Sequence, residues 1–259
     1  MSVTFYKYEG AGNDFILFDN RQEDFHLSKE TLAQLCDRRF GVGADGLMTI
    51  NPSTSADFHL DYYNADGSIG SLCGNGSRCA VAFAHRLELM ADKTQFTAAD
   101  GLHQARLDVA TNLVELSMHP VHEITDHGDY IFMDTGSPHH VQLVSALEQV
   151  DVPSLGKQLR HDVHGFSGAN INFVEQKSPN AFAIRTYERG VEAETLACGT
   201  GAVAAAIAMH YSQQSASTTI EMHALGGVLK VQFNPAASAY TDILLTGPAT
   251  FVFKGELPL

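Results

Sequence analysis

Two short segments of the chain set a cysteine ahead of glycines in one pattern: Cys73-Gly74-Asn75-Gly76 and Cys198-Gly199-Thr200-Gly201. An alanine-rich stretch of helical composition follows each, so each cysteine stands at or just before a helix start. The backbone N–H groups and the dipole at such a start favour negative charge. A thiol in such a position can be shifted well below its ordinary pKa of about 8.5. The glycines at +1 and +3 let a bound group approach the backbone and leave N–H groups for a thiolate or a substrate carboxylate. Two such thiols facing one cleft form a base/acid pair. One removes a proton from one face of a carbon, the other delivers a proton to the opposite face, and a stereocentre is inverted.

Other chemistry fits these residues less well. Cys36 and Cys79 lie on helical faces and read as small buried hydrophobes. Cys73 and Cys79 are six apart, outside the usual zinc-ligand spacing, so no metal site is expected. There is no Cys-x-x-Cys for dithiol redox work. The glycine loops match neither a dinucleotide fingerprint nor a phosphate-binding loop, so no nucleotide cofactor is expected.

The elements that must position the thiols occur twice. Shifting the sequence by 125 positions lays Cys73-Gly74-Asn75-Gly76 on Cys198-Gly199-Thr200-Gly201, Tyr62 on Tyr187, Ala80 on Ala205 and His85 on His210. Thr4 to Tyr8 and Phe15 to Phe18 read as strands around the Gly10-Ala11-Gly12-Asn13-Asp14 turn. Ser28 reads as a helix N-cap, with Leu32, Leu35 and Cys36 on one face. Gly41 to Gly46 is a glycine-rich loop, and Phe58, Leu60 and Tyr62 alternate as in a strand. Asn75 to about Met90 reads as helix, followed by strands Gln104 to Val109 and Leu113 to Met118. Strand, loop, Cys-Gly-x-Gly, helix, strand, turn and strand thus recur, with Asp100-Gly101 and Gly226-Gly227 as the late turns. A two-copy repeat this long predicts duplicated halves. They are expected to join near His119-Pro120-Val121 and to pack around a shared cleft.

Composition narrows the function further. Of the 259 residues, 44% are apolar and 18% charged, a folded profile. The formal net charge of −14 repels phosphate backbones and anionic lipid, so neither a nucleic acid nor a membrane is an expected partner. The opening residues lack the pattern of a secretory signal, and the longest apolar run, Ala202 to Met209, is too short to span a bilayer. The expected location is cytoplasmic, with Cys36, Cys73, Cys79 and Cys198 as reduced thiols.

The motifs together resemble the diaminopimelate epimerase family, nearly end to end. They are Gly12-Asn13-Asp14-Phe15, Arg39-Phe40-Gly41-Val42-Gly43-Ala44-Asp45-Gly46, Asn64-Ala65-Asp66-Gly67, Cys73-Gly74-Asn75-Gly76 and Gly136-Ser137-Pro138-His139. Asn170-Ile171-Asn172-Phe173, Glu188-Arg189-Gly190 and Glu194-Thr195 follow, leading to Cys198-Gly199-Thr200-Gly201. The resemblance implies interconversion of LL- and meso-diaminopimelate on the route to lysine and peptidoglycan, without pyridoxal phosphate, metal or other cofactor. It implies two-base catalysis by Cys73 and Cys198, with His139 and Glu188 tuning the thiols. It implies substrate contacts from Asn13, Asn64, Gly74, Asn75, Asn172, Glu188, Arg189, Gly199 and Thr200. The implied fold is α/β of the α+β type, in two pseudo-symmetric domains. Each wraps a curved, mostly antiparallel sheet around a central helix. Residues 1–119 and 248–259 would form the half carrying Cys73, and residues 120–247 the half carrying Cys198. The family also implies a homodimer, although Phe253 stands where many members have Tyr.

The chain departs from the family pattern in three places. Ser137 stands where many members have Asn, Gly46 where many have Gln, and the segment Arg189 to Thr195 is one residue longer. These touch the outer substrate shell. The rival functions are a related two-cysteine proline racemase or hydroxyproline epimerase, an epimerase also acting on glutamate, and a catalytically dead amino-acid-binding protein. Asn75 in place of His in the first motif argues against the first, and the presence of both thiols against the last.

Overall fold

The computed structural model describes residues 2–22, 27–70, 73–237 and 239–258. Met1 and Leu259, the outer limits of the expected first half, lie outside the described residues. Contacts divide the chain into two compact units, Met1–Leu116 with Gly247–Leu259, and Ser117–Thr246.

The first unit runs β1 (Ser2–Gly10), β2 (Asn13–Asp19), α1 (Lys29–Cys36), β3 (Gly46–Asn51), β4 (Phe58–Asn64), α2 (Gly74–Arg86), β5 (Lys93–Ala98), β6 (Gly101–Asp108) and β7 (Leu113–Met118). The last strand of the chain, β17 (Thr250–Pro258), pairs antiparallel with β1. The β1–β2, β3–β4, β5–β6 and β6–β7 pairs are antiparallel. The β2–β3 and β4–β5 pairs are parallel. Parallel neighbours need a crossover, and α1 and α2 supply them.

The second unit runs β8 (Ile124–Asp126), β9 (Ile131–Asp134), β10 (Pro138–Leu143), a 3₁₀ turn at Leu147–Gln149 and α3 (Val152–Asp162). It continues through β11 (Asn170–Ser178), β12 (Ala181–Glu188), β13 (Ala193–Thr195), α4 (Gly199–Tyr211), β14 (Thr219–Ala224), β15 (Gly227–Ala236) and β16 (Ala239–Pro248), of which the last two residues, Gly247 and Pro248, count with the first unit. Its parallel pairs are β10–β11, bridged by α3, and β12–β14, bridged by α4. The crossovers therefore fall at the same places as in the first unit, and the fold is the expected mixed α/β type.

The thiol-bearing helices form the centre of each unit. Helix α2 packs against β1, β2, β3, β6 and β17, and α4 against β9, β10, β11, β12, β14 and β15. Every residue from Ala202 to Met209 is buried, as a helix apolar all round requires. Leu32, Leu35 and Cys36 of α1 pack on Phe5, Ile16, Phe18 and Leu47, and Ser28 caps α1 by accepting from the Thr31 N–H.

The expected helix to Met90 stops earlier, at Arg86. Glu88 takes a left-handed φ of 59°, and the Leu89 N–H reaches back to the Ala84 carbonyl. Gln213, with φ of 61°, ends α4 in the same way, with the Gln214 N–H on the Met209 carbonyl. Both are Schellman-type ends. Neither uses glycine, so the usual stop signal is missing from the sequence. The two ends are 125 residues apart, the period of the repeat. Among the described residues, no helix is long and apolar enough to cross a membrane.

Candidate active site

Cys73 is the N-cap of α2, in extended conformation ahead of the first helical residue. An N-cap side chain accepts from the backbone one turn in, and here the Gly76 N–H donates to Cys73 Sγ over 3.5 Å. The thiol in turn points at Asn13 Oδ1, 3.7 Å away. The Ala11-Gly12 turn, with φ of 55° and 83°, brings Asn13 to the start of β2.

Asn13 is itself held. Its Nδ2 donates to Asp45 Oδ2 at 2.6 Å, and its Oδ1 also receives Asn75 Nδ2 at 3.4 Å. Arg38 grips Asp45 at 2.6 Å and both oxygens of Asp14. Lys7 completes the group with a 2.7 Å ion pair to Asp14. Burial raises the Asp14 pKa, but hydrogen bonds and charge from Arg38 and Lys7 more than reverse this and bring it to about 2.

Asn75 is almost wholly buried. Its Oδ1 accepts from Arg78 Nη2 at 2.9 Å. Asn64 ends β4, paired with Gly46, which pairs in turn with Phe15 of β2. Its amide donates to Ser68 Oγ at 3.1 Å. The Gly46 departure has a steric reason. A Cβ there would lie 2.5 Å from the Tyr62 ring, so Tyr62 fills the space that a longer residue at 46 would take.

In the second unit Cys198 is the N-cap of α4 in nearly the same conformation, but its sulfur makes no capping bond. It lies 3.5 Å from Thr200 Oγ1 instead. The Thr200 carbonyl accepts from Thr135 Oγ1 at 2.9 Å, which ties the helix start to the end of β9.

His139, at the start of β10, is fully buried, and Asn172 Nδ2 donates to its Nδ1 at 3.1 Å. Burial, helped by the Arg189 charge, drives the His139 pKa down to about 3. The imidazole is therefore neutral at physiological pH. It can tune a neighbour as a base or hydrogen-bond partner, not as a cation.

Asn172, expected as a substrate contact, has no exposed surface. Its Oδ1 accepts from Thr186 Oγ1 at 2.9 Å, and its Nδ2 also donates to the His140 carbonyl at 3.0 Å. A Cβ on Gly201 would come within 2.5 Å of that Oδ1 and 3.3 Å of Cys198 Sγ. Asn172 thus braces His139 on one side and meets the start of α4 on the other.

Glu188 ends β12 and accepts from Thr195 Oγ1 at 2.8 Å. Arg189 is anchored at its backbone, where its N–H donates to Asn170 Oδ1 at 2.9 Å. Its guanidinium donates to the Ser167 carbonyl at 3.0 Å and to Ser137 Oγ at 3.3 Å. The Ser137 departure therefore touches the one arginine expected to hold a substrate carboxylate.

The first unit thus gathers Asn13, Cys73, Gly74 and Asn75, with Asn64 two strands away. The second gathers His139, Asn172, Cys198, Gly199 and Thr200, with Arg189 held by Asn170 and Glu188 by Thr195. Sequence reasoning missed Asp45, Arg78, Thr135 and Asn170. For Arg78 a signal existed: a charge inside an otherwise apolar helix. The others make contacts that sequence distance hides.

The family model described as diaminopimelate epimerase matches residues 5–122 and 131–252. A diaminopimelate epimerase of Flavobacterium psychrophilum is 51% identical over 251 residues, covering 96% of this chain and 98% of that protein. The enzyme of the same name from Chlorobaculum tepidum is 42% identical, covering 96% of this chain and 99% of that protein. The fold is also that of a PhzF-family phenazine biosynthesis protein from Bacillus anthracis, with a TM-score of 0.73, 14% identity and full coverage of both chains.

Proposed function

The chain belongs to the diaminopimelate epimerase family, a family of isomerases, and from that premise we propose that it interconverts LL- and meso-diaminopimelate by proton transfer between Cys73 and Cys198. One observation carries the reading. Each unit presents a thiol as the N-cap of a largely buried 13-residue helix that bridges two parallel strands, β4–β5 in the first and β12–β14 in the second.

In this reading one cysteine is the thiolate and takes the α-proton. The other is the thiol and gives its proton to the opposite face, so the two exchange roles in each turnover. The first-turn N–H groups of Gly74, Asn75, Gly199 and Thr200 receive the reacting carboxylate, where negative charge grows as the C–H bond breaks. Preorganised dipoles of this kind supply the stabilisation, and no cofactor is called for. Arg189 takes a carboxylate through its planar fork, Glu188 an ammonium, and the Asn13 and Asn64 amides offer both donors and acceptors. Asn172 and neutral His139 hold the second thiol's surroundings in place. The same reading puts the enzyme in the cytoplasm, serving lysine and peptidoglycan synthesis, as a homodimer that light scattering of the purified protein would test.

Incubating reduced protein with LL-diaminopimelate in D2O, without added cofactor, tests the proposal. Deuterium should enter the α-carbon as the meso isomer appears. Absence of exchange would sink the enzyme reading, and exchange on proline alone would transfer it to the racemases.

A further inference from the structure

Arg78 is fully buried in the first turns of α2. Its hydrogen bonds go to three neutral oxygens: Nε to the Pro248 carbonyl at 3.3 Å, Nη1 to the Gly74 carbonyl at 3.4 Å and Nη2 to Asn75 Oδ1 at 2.9 Å. Among the described residues it forms no ion pair. A buried charge without a counter-charge costs several kcal/mol, and the fold does not require it. The position 125 residues on is Val203, equally buried in the matching turn of α4. A valine serves the packing, so the arginine answers some other need.

The geometry identifies two needs. The first is orientation. With Asn75 Oδ1 engaged by Arg78, the Asn75 NH2 turns toward Asn13 Oδ1, beside the thiol that donates to the same oxygen. A carboxylate arriving at the helix start would then meet amide donors and not an amide oxygen. The second is charge. The titratable groups that act on Arg78 are Cys79 and Cys73 on its own helix and Glu9 on β1. Burial holds the Cys79 thiol far above the usual range, so it stays neutral. Glu9 accepts from the Gly12 N–H at 2.9 Å, and among the described residues it forms no ion pair with Arg78. Cys73, joined to Arg78 through Asn75 and Asn13, is the remaining group on this helix that can carry a negative charge near the guanidinium.

We propose that Arg78 is a positioning residue for the first half-site: it turns the Asn75 amide donor-outward and supplies the buried positive charge that a Cys73 thiolate needs. This rests on Cys73 being one of the two proton-transferring thiols. The second unit has no equivalent, so the two thiols are tuned by different means.

The test measures the pH dependence of iodoacetamide labelling at each cysteine by peptide mass spectrometry, in the full chain and without substrate. It is independent of whether diaminopimelate is the substrate. In Arg78→Gln the Cys73 labelling midpoint should rise by about one pH unit, with Cys198 in the same sample unmoved. In Arg78→Lys the charge remains, so the Cys73 midpoint should hold, while loss of the rigid fork frees Asn75 and raises KM about tenfold. An unmoved Cys73 midpoint in Arg78→Gln, or an equal shift at both cysteines, overturns the proposal. Should Arg78→Gln fail to fold, Arg78→Met takes its place in the labelling measurement, and an unmoved Cys73 midpoint there overturns the proposal. Loss of D2O exchange in the unaltered protein would instead count against the epimerase reading alone.

Discussion

Five residues after its cysteine the first unit buries Arg78, and at the same point the second buries Val203. Around this substitution the two half-sites are filled differently. Cys73 takes a backbone N–H from Gly76 and donates to Asn13, an asparagine braced by Asp45. Cys198 has no capping bond and meets a side-chain hydroxyl, Thr200. Behind the first thiol lies a buried cation, and in the second unit a neutral buried imidazole, His139, with its Asn172 brace. A duplicated scaffold fixes where a thiol stands at a helix start. The side chains beneath it remain free to diverge, because the helix dipole and first-turn N–H groups belong to the backbone.

The strongest challenge to this comparison is removal of each thiol in turn. Cys73→Ala and Cys198→Ala should each lower epimerisation at least about 100-fold while thermal unfolding stays near that of the parent. Substantial activity in either variant would mean the two half-sites are not partners.

Acid should separate the units. His139 has an ordinary pKa of 6.5 and a folded value of about 3. Between those values the unfolded chain holds more protons, so stability present above pH 6.5 falls as pH drops toward 3. That loss is on the order of 2 kcal/mol by pH 5. In the first unit Asp14 moves from 3.8 to about 2, so its contribution persists above pH 3.8 and is lost only as pH falls through about 2. Hydrogen exchange at pH 5 should therefore loosen β10 and β11 before β1 and β2, and the reverse order would break the comparison.

The matched glycines give the next effect. An added methyl at Gly201 meets Asn172 Oδ1, fixed by Thr186 and His140, and lies against Cys198 Sγ. At Gly76 it meets the flexible end of Met48. Both Gly76→Ala and Gly201→Ala should destabilise by about 1–3 kcal/mol, read by thermal unfolding. Only Gly201→Ala should also depress kcat/KM, because its neighbour cannot move aside without shifting the thiol's surroundings. The smallest effect is expected from Thr200→Val, which removes the hydroxyl beside Cys198. A loss in kcat/KM of about three- to tenfold follows from one weak hydrogen bond. No change would show that the second thiol, like the first, depends on backbone groups.

Much of this was legible in the residues. The repeated Cys-Gly-x-Gly, the helix after each copy and the 125-residue period all follow from local composition and spacing. The strands were legible where apolar residues alternate, as at Phe58, Leu60 and Tyr62. Strand β3 was not, because Gly46-Leu47-Met48-Thr49-Ile50 is buried on both faces and shows no alternation. The end of α2 was missed because a glutamate occupies a left-handed position usually marked by glycine.

The sequence by itself determined where the thiols stand, each at a helix start, since a helix start is a local property of the backbone. Only the tertiary structure decided what lies beneath them. Arg78 faces inward to Asn75 and Pro248, Asn172 has no exposed surface, and His139 is neutral, all through contacts made between distant segments. Those contacts depend on which strands close around each helix, and burial then sets charge and orientation.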